Sequence, residues 1–278
     1  MDDLSQVKAT PHEVIDPNPP LARKLTDLFG DVLPVHINRA TIYPVWGGTD
    51  LSEAAARLLG LEELLYALYE QPDMVHRLMA IMRDAVIANI TQGETAGDFS
   101  TAETQNYLVP AHSDDLPDPQ AQRYDTQLSE LCFFTHAQEF EAVSPAQHEE
   151  FVLEYQLPIA RLFGKVNYGC CETLDTKMDI LRRIPNLNKV SAGPRADVAR
   201  YPEKVGAERI ISWRPNAAPM VCDGFDPGRV RALLRDGLDK TRGCAVEVHL
   251  HEPMTVEGDL SRVSQWAAIA RAEAERIA

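Results

Sequence analysis

Apolar residues along this chain recur first at helical spacing and later in short runs separated by amphipathic stretches. Residues 51–59 (LSEAAARLL) place apolar side chains three and four apart and stop at Gly60, a helix C-terminal signal. A second helix is predicted over 62–69. A third opens at Pro72, a first-turn proline, and continues through MVHRLMAIMRDAVIANI with one apolar stripe. Ser144-Pro145 predicts an N-cap and a helix to about Leu162. From there strands are expected at 164–170, 188–192, 208–213 and 244–250. They alternate with helices at 173–183, at 196–206 (where Pro202 interrupts), at 228–239 behind Asp226-Pro227, and at 259–277. Upstream, Leu33–Ile37 predicts a buried strand that runs into a loop at Gly47-Gly48. LCFFTHAQEF (131–140) fits either a strand or a buried helix. Residues 97–125 read as loop, and 1–20, ending in DPNPP, as a mobile arm.

Alternating helices and short apolar strands predict an α/β fold, either a doubly wound sheet or a TIM-type barrel. No Gly-rich phosphate turn follows any of these strands, which argues against a dinucleotide fold. In either architecture, chemistry gathers at the carboxyl ends of strands, here Cys170–Glu172, Ser191–Arg195, Trp213–Asn216 and His249–Glu252.

Charge narrows the partners. Lys and Arg total 27 against 42 Asp and Glu, a net −15, which disfavours nucleic acid and anionic membrane surfaces. No apolar run approaches the ~18 residues of a membrane span, and the acidic amino terminus lacks a secretory core segment. Five cysteines, an odd number without C-x-x-C spacing, argue against a disulfide framework, and a cytoplasmic compartment is expected.

The candidate chemistry centres on VNYGCCETLD. Cys170 and Cys171 offer thiolates, and Glu172 a carboxylate at the start of the next helix, whose N–H groups would stabilise a thiolate. One cysteine is expected to face the site and the other the packing, and likewise one of His249 and His251. Cysteine, histidine and carboxylate drawn from separate strand ends make up a catalytic zinc site with three protein ligands and one open position. Cys132, Cys222 and Cys244 read as buried fillers, and His36, His76 and His148 as structural residues. His136, Gln138 and Glu139 stay open between site and scaffold. Tyr168 and Trp213 could wall a pocket, and DDLPD (114–118) reads as a solvated loop. G-x-S-x-G, P-loop, H-E-x-x-H and EF-hand patterns are all missing from the sequence.

The run AQEFEAVSPAQHEEFVLEYQLPIARLFGKVNYGCCETLD, with IPNLNKVSAGPRADV, ISWRPNAAP and TVEGDLSRVSQW, resembles the uroporphyrinogen decarboxylase superfamily. More narrowly it is similar to the Tyr-Gly-Cys-Cys-Glu branch related to corrinoid-dependent methyltransferases. The resemblance implies a TIM-type barrel over 21–278. In its methyltransferase members zinc activates a thiol acceptor or polarises a methyl donor, and cobalamin is carried on a separate corrinoid protein. LPVHINRATIYPVWGG corresponds to the third strand region, so the barrel is expected to be incomplete at its amino terminus. The arm, a partner chain or a homo-oligomer would then cover the open edge. The arginines that grip porphyrinogen would lie in the missing part. Asn167 and Tyr168 stand where His-x-Cys ligation needs a histidine, Thr173 where proline is frequent, and His251-Glu252 where Lys-Asp is frequent.

What the resemblance implies is metal-assisted methyl transfer of the corrinoid/thiol type on a small-molecule substrate. Cys170, Cys171 and Glu172 would act in catalysis. Metal ligation would come from Cys170, Cys171, Glu139 and His251, with Glu172 a further candidate, and Gln138, Tyr168, Arg195, Trp213 and Asn216 would line the pocket. Two alternatives stand beside it. One is a cofactor-free decarboxylase anchoring a non-porphyrin carboxylate through Arg182, Arg195 and Arg214. The other is a shortened, non-catalytic barrel that serves as a binding partner.

Overall fold

The computed structural model describes residues 4, 7–13, 16, 19–35, 37, 39, 50–104, 111, 113–121, 123–222 and 224–277. Five strands, β1 (Cys132–Thr135), β2 (Lys165–Tyr168), β3 (Leu187–Ala192), β4 (Ile210–Trp213) and β5 (Ala245–Val248), pair in chain order as one α/β sheet. Among the described residues that order is open, from β1 to β5, and not the closed ring of a complete barrel. The chain divides into two compact units, Met1–Thr135 with Glu149–Val166, and His136–His148 with Asn167–Ala278.

The first unit is largely helical, with α1 (Pro20–Phe29), α2 (Leu51–Leu59), α3 (Leu61–Glu70) and α4 (Pro72–Thr95). Gly60 ends α2 at φ +90°, the backbone its stop signal calls for. The α4 stripe of Met74, Val75, Leu78, Met79, Met82, Val86 and Ile90 is buried, as its spacing demands. The helix predicted from Ser144 is present in three pieces: α5 (Pro145–His148), a π turn (Glu149–Leu153) and α6 (Glu154–Ala160). Of the expected arm, the Thr10 carbonyl accepts from Asn89 Nδ2 at 2.9 Å, and His12 Nε2 lies 2.6 Å from Asp98 Oδ2. The strand expected at Leu33–Ile37 does not form at Leu33, Pro34, Val35 or Ile37. His36 and the loop at Gly47-Gly48 lie outside the described residues.

In the second unit, β3, β4 and β5 run parallel, with Ser191 opposite Ser212 and Ser212 opposite Glu247. Alternation along a strand then sorts the side chains. Val190, Ala192, Ile211, Trp213, Val246 and Val248 share one face, and Lys189, Ser191, Ser212 and Glu247 share the other. The apolar face receives α9 (Pro227–Lys240). A Cβ on Gly237 would sit 2.0 Å from the Trp213 ring, so only glycine allows that approach. Asp226 caps α9 by accepting from the Gly228 and Arg229 N–H groups. The last helix, α10 (Ser261–Ile277), is joined to α9 through Glu273, whose carboxylate pairs with Arg231 and Arg235.

Two short helices differ from expectation. The helix predicted over 173–183 shrinks to α7 (Met178–Leu181), because the preceding residues bond elsewhere. The Thr173 N–H donates to Glu141 Oε1 at 3.1 Å, and the buried Lys177 ammonium donates to the Phe140 and Glu141 carbonyls. Pro202 does not interrupt a helix. It occupies the first turn of α8 (Tyr201–Val205), where its missing N–H costs nothing.

Candidate metal centre

β2 ends in a forced turn. Gly169 adopts φ +94°, and a Cβ there would lie 2.7 Å from Leu174. The turn brings the next backbone N–H, that of Cys170, to Glu172 Oε2 at 2.7 Å, while Glu172 Oε1 accepts from the Ala137 N–H at 3.0 Å. The fully buried Glu172 carboxylate is therefore committed to shaping the loop. It does not open a helix, and the expected helix N-terminus beside the thiols is absent because residues 173–177 are not helical.

The loop aims both cysteines at one place. Cys170 Sγ lies 3.6 Å from Cys171 Sγ, and Cys171 Sγ lies 3.2 Å from His251 Nε2. This corrects the expectation that one thiol would turn into the packing. His251 arrives because the β4–β5 pairing persists beyond the strands, with a parallel bridge between Asn216 and His251. Glu247, His249 and His251 are two residues apart and share a face, so the expected division between the histidines does not occur. His249 Nε2 instead lies 2.9 Å from Glu247 Oε1, and Glu247 Oε2 lies 2.6 Å from Lys189 Nζ.

Electrostatics suit ligation. Cys170 is lowered to about 7, first by the hydrogen bond from the Cys171 thiol and then by the charges of Arg214 and His136, against the effect of burial. Cys171 is raised, because its proton is the one shared with Cys170 and because it is partly buried. Burial and then the Arg214 charge lower His251, which keeps its imidazole neutral, the form that binds metal. Glu247 would be raised by burial, but His249, Lys189 and Ser212 together hold it at about 2.

The ligand atoms of Cys170, Cys171 and His251 all lie within 4.8 Å of one another. A tetrahedral zinc with ~2.3 Å bonds to sulfur and ~2.1 Å to nitrogen separates two sulfurs by ~3.8 Å, and sulfur from nitrogen by ~3.6 Å. Two soft thiolates and one neutral imidazole at nearly these spacings fit such an ion and leave a fourth position for a substrate atom. Glu139 falls outside this group.

The remaining candidates are dispersed. Tyr168 is fully buried, and its hydroxyl meets His148 Nε2 at 2.7 Å, so it is part of the core. Arg195 pairs with Glu141 on the surface. Gln138 lies on a single 3-10 turn, Gln138–Phe140. Trp213 and Asn216 line a cavity of about 250 Å³ beside α9, with Pro194, Met220 and Leu233, and none of the three ligand residues lines it. His76 stacks on Phe151 at 4.6 Å and reaches the Tyr155 hydroxyl at 2.7 Å, a packing role within the first unit. The sequence reading missed Lys189 and Glu247. Their signal was the polar alternation Lys189-x-Ser191, Ser212-x-Arg214 and Glu247-x-His249-x-His251, which marks a polar sheet face leading to the ligands.

No protein-family model and no curated protein matches this chain.

Proposed function

We propose that the chain is a barrel-type member of the uroporphyrinogen decarboxylase superfamily that transfers a methyl group to a small thiol. The observation that carries this reading is the convergence of Cys170, Cys171 and His251 on one point at the end of a parallel sheet. Zinc held by these three residues would depress the pKa of a thiol acceptor and keep it nucleophilic at neutral pH. Glu172 fixes the Cys170 backbone, and the Asn216–His251 bridge fixes the His251 backbone. The charge of buried Arg214 favours the anionic form of the Cys170 sulfur. Methylcobalamin, as the methyl donor, would supply the carbon and keep the electron pair of its broken bond, while the acceptor sulfur would gain the methyl group and lose its thiol proton to solvent. Cobalamin would be presented by a separate corrinoid protein.

A carboxy-lyase is less well supported. Arg195 is tied to Glu141 and Arg182 donates to the Lys204 and Glu203 carbonyls, so neither is placed to hold a substrate carboxylate. The test is spectroscopic. Zinc-loaded protein mixed with methylcobalamin and a small thiol should demethylate the cobalamin and yield the thioether. Cys170→Ser, Cys171→Ser and His251→Ala should each lower both bound zinc and rate at least tenfold. Equal rates in wild type and all three variants would overturn the proposal.

A further inference from the structure

Two apolar faces of the first unit lie open to solvent. The short helix α1 buries only Ala22, while Leu21, Leu28 and Phe29, with Val32 and Leu33 just beyond its end, are each 50–74% exposed. α3 carries apolar side chains outside its buried face as well as within it, beside Glu62, Glu63 and Glu70. Leu64, Ala67 and Leu68 are buried on one side, yet Leu61, Tyr66 and Tyr69 are exposed on the other, with Leu58 of α2 beside them. Leu61, Glu62, Leu65, Tyr66 and Tyr69 line a groove of about 580 Å³. Large apolar side chains clustered on an exposed surface mark an interaction site, and a ten-residue helix has little stability without a partner to pack on.

We propose that α1 of one copy of this chain seats in the α3 groove of a second copy, in a reciprocal two-fold dimer. Two observations name this occupant. The first is charge: α1 carries Arg23 and Lys24 against Asp27 in a chain of net −15, whereas α3 carries Glu62, Glu63 and Glu70 and no base. A basic apolar helix and an acidic apolar groove on one chain are complementary to each other and not to themselves. The second is area. At roughly 190 Å² for a fully exposed large side chain, the nine exposed residues offer ~1,000 Å² per copy and ~2,000 Å² per pair, the size of a stable interface. Two-fold symmetry closes both grooves at once and leaves no open end for a filament.

Light scattering coupled to size exclusion on the full chain at about 50 µM reads the outcome. The expected mass is twice the 30.9 kDa of one chain. Leu28→Asp and Tyr69→Asp should each shift the mass to that of the monomer, with helical circular dichroism unchanged. Lys24→Glu should raise the dimer dissociation constant at least tenfold, and adding Glu62→Lys to the same chain should restore it, which a folding defect would not do. A monomeric wild type overturns the proposal, including one whose α1 amides resist exchange because the helix folds onto its own groove. So does a dimer indifferent to all of these substitutions.

Discussion

At the scale of single residues, His148 carries the clearest titration. Burial, and then the Lys177 charge, lower it to about 3, so in the folded protein the ring facing the Tyr168 hydroxyl is neutral near pH 7. Unfolded histidine titrates near ~6.5, so below that pH the unfolded chain binds the extra proton. The stability that neutral His148 contributes is therefore complete above pH ~6.5 and is lost as pH falls toward 3, at up to ~1.4 kcal/mol per pH unit. Urea melts between pH 7 and 4 should show this slope, and His148→Gln should flatten it. An unchanged slope would show that His148 is not the group responsible. The sequence identified Cys170, Cys171 and His251 as ligand types, because strand ends are where barrels place chemistry. It could not reveal that Glu172 turns inward to the Cys170 and Ala137 amides, since that depends on the positive φ of Gly169.

At the scale of elements, the ion pair of Lys189 on β3 with Glu247 on β5 spans the intervening strand β4. Removing one partner strands a buried charge, whereas replacing both with apolar groups removes the burden. Lys189→Met should cost about 3–5 kcal/mol in chemical denaturation, and Lys189→Met with Glu247→Leu should recover most of that loss. If the double variant is no better than the single, the pair does not act as one unit. The longest helix was legible because α4 opens at Pro72 and keeps one apolar stripe along its length. The helix expected at 173–183 starts only at Met178, and the segment before it is held by the Thr173 N–H and the Lys177 ammonium to residues 140 and 141, tertiary bonds that no local pattern displays.

At the scale of the whole molecule, the alternation of helix and strand after Ser144 gave the α/β class correctly, since crossover connections impose that rhythm on any parallel sheet. The number of strands in front of it was not readable in the same way. β1 is four residues of an apolar run that fitted helix and strand equally. Among the described residues no helix is long and apolar enough to cross a membrane. The proposed methyl transfer requires a metal held by two adjacent thiols and one imidazole. Zinc K-edge X-ray absorption on the zinc-loaded full chain addresses this directly. It should give two sulfurs per zinc at ~2.3 Å, falling to one in Cys171→Ser. A first shell of oxygen and nitrogen alone, or less than ~0.2 zinc retained per chain, would contradict the account.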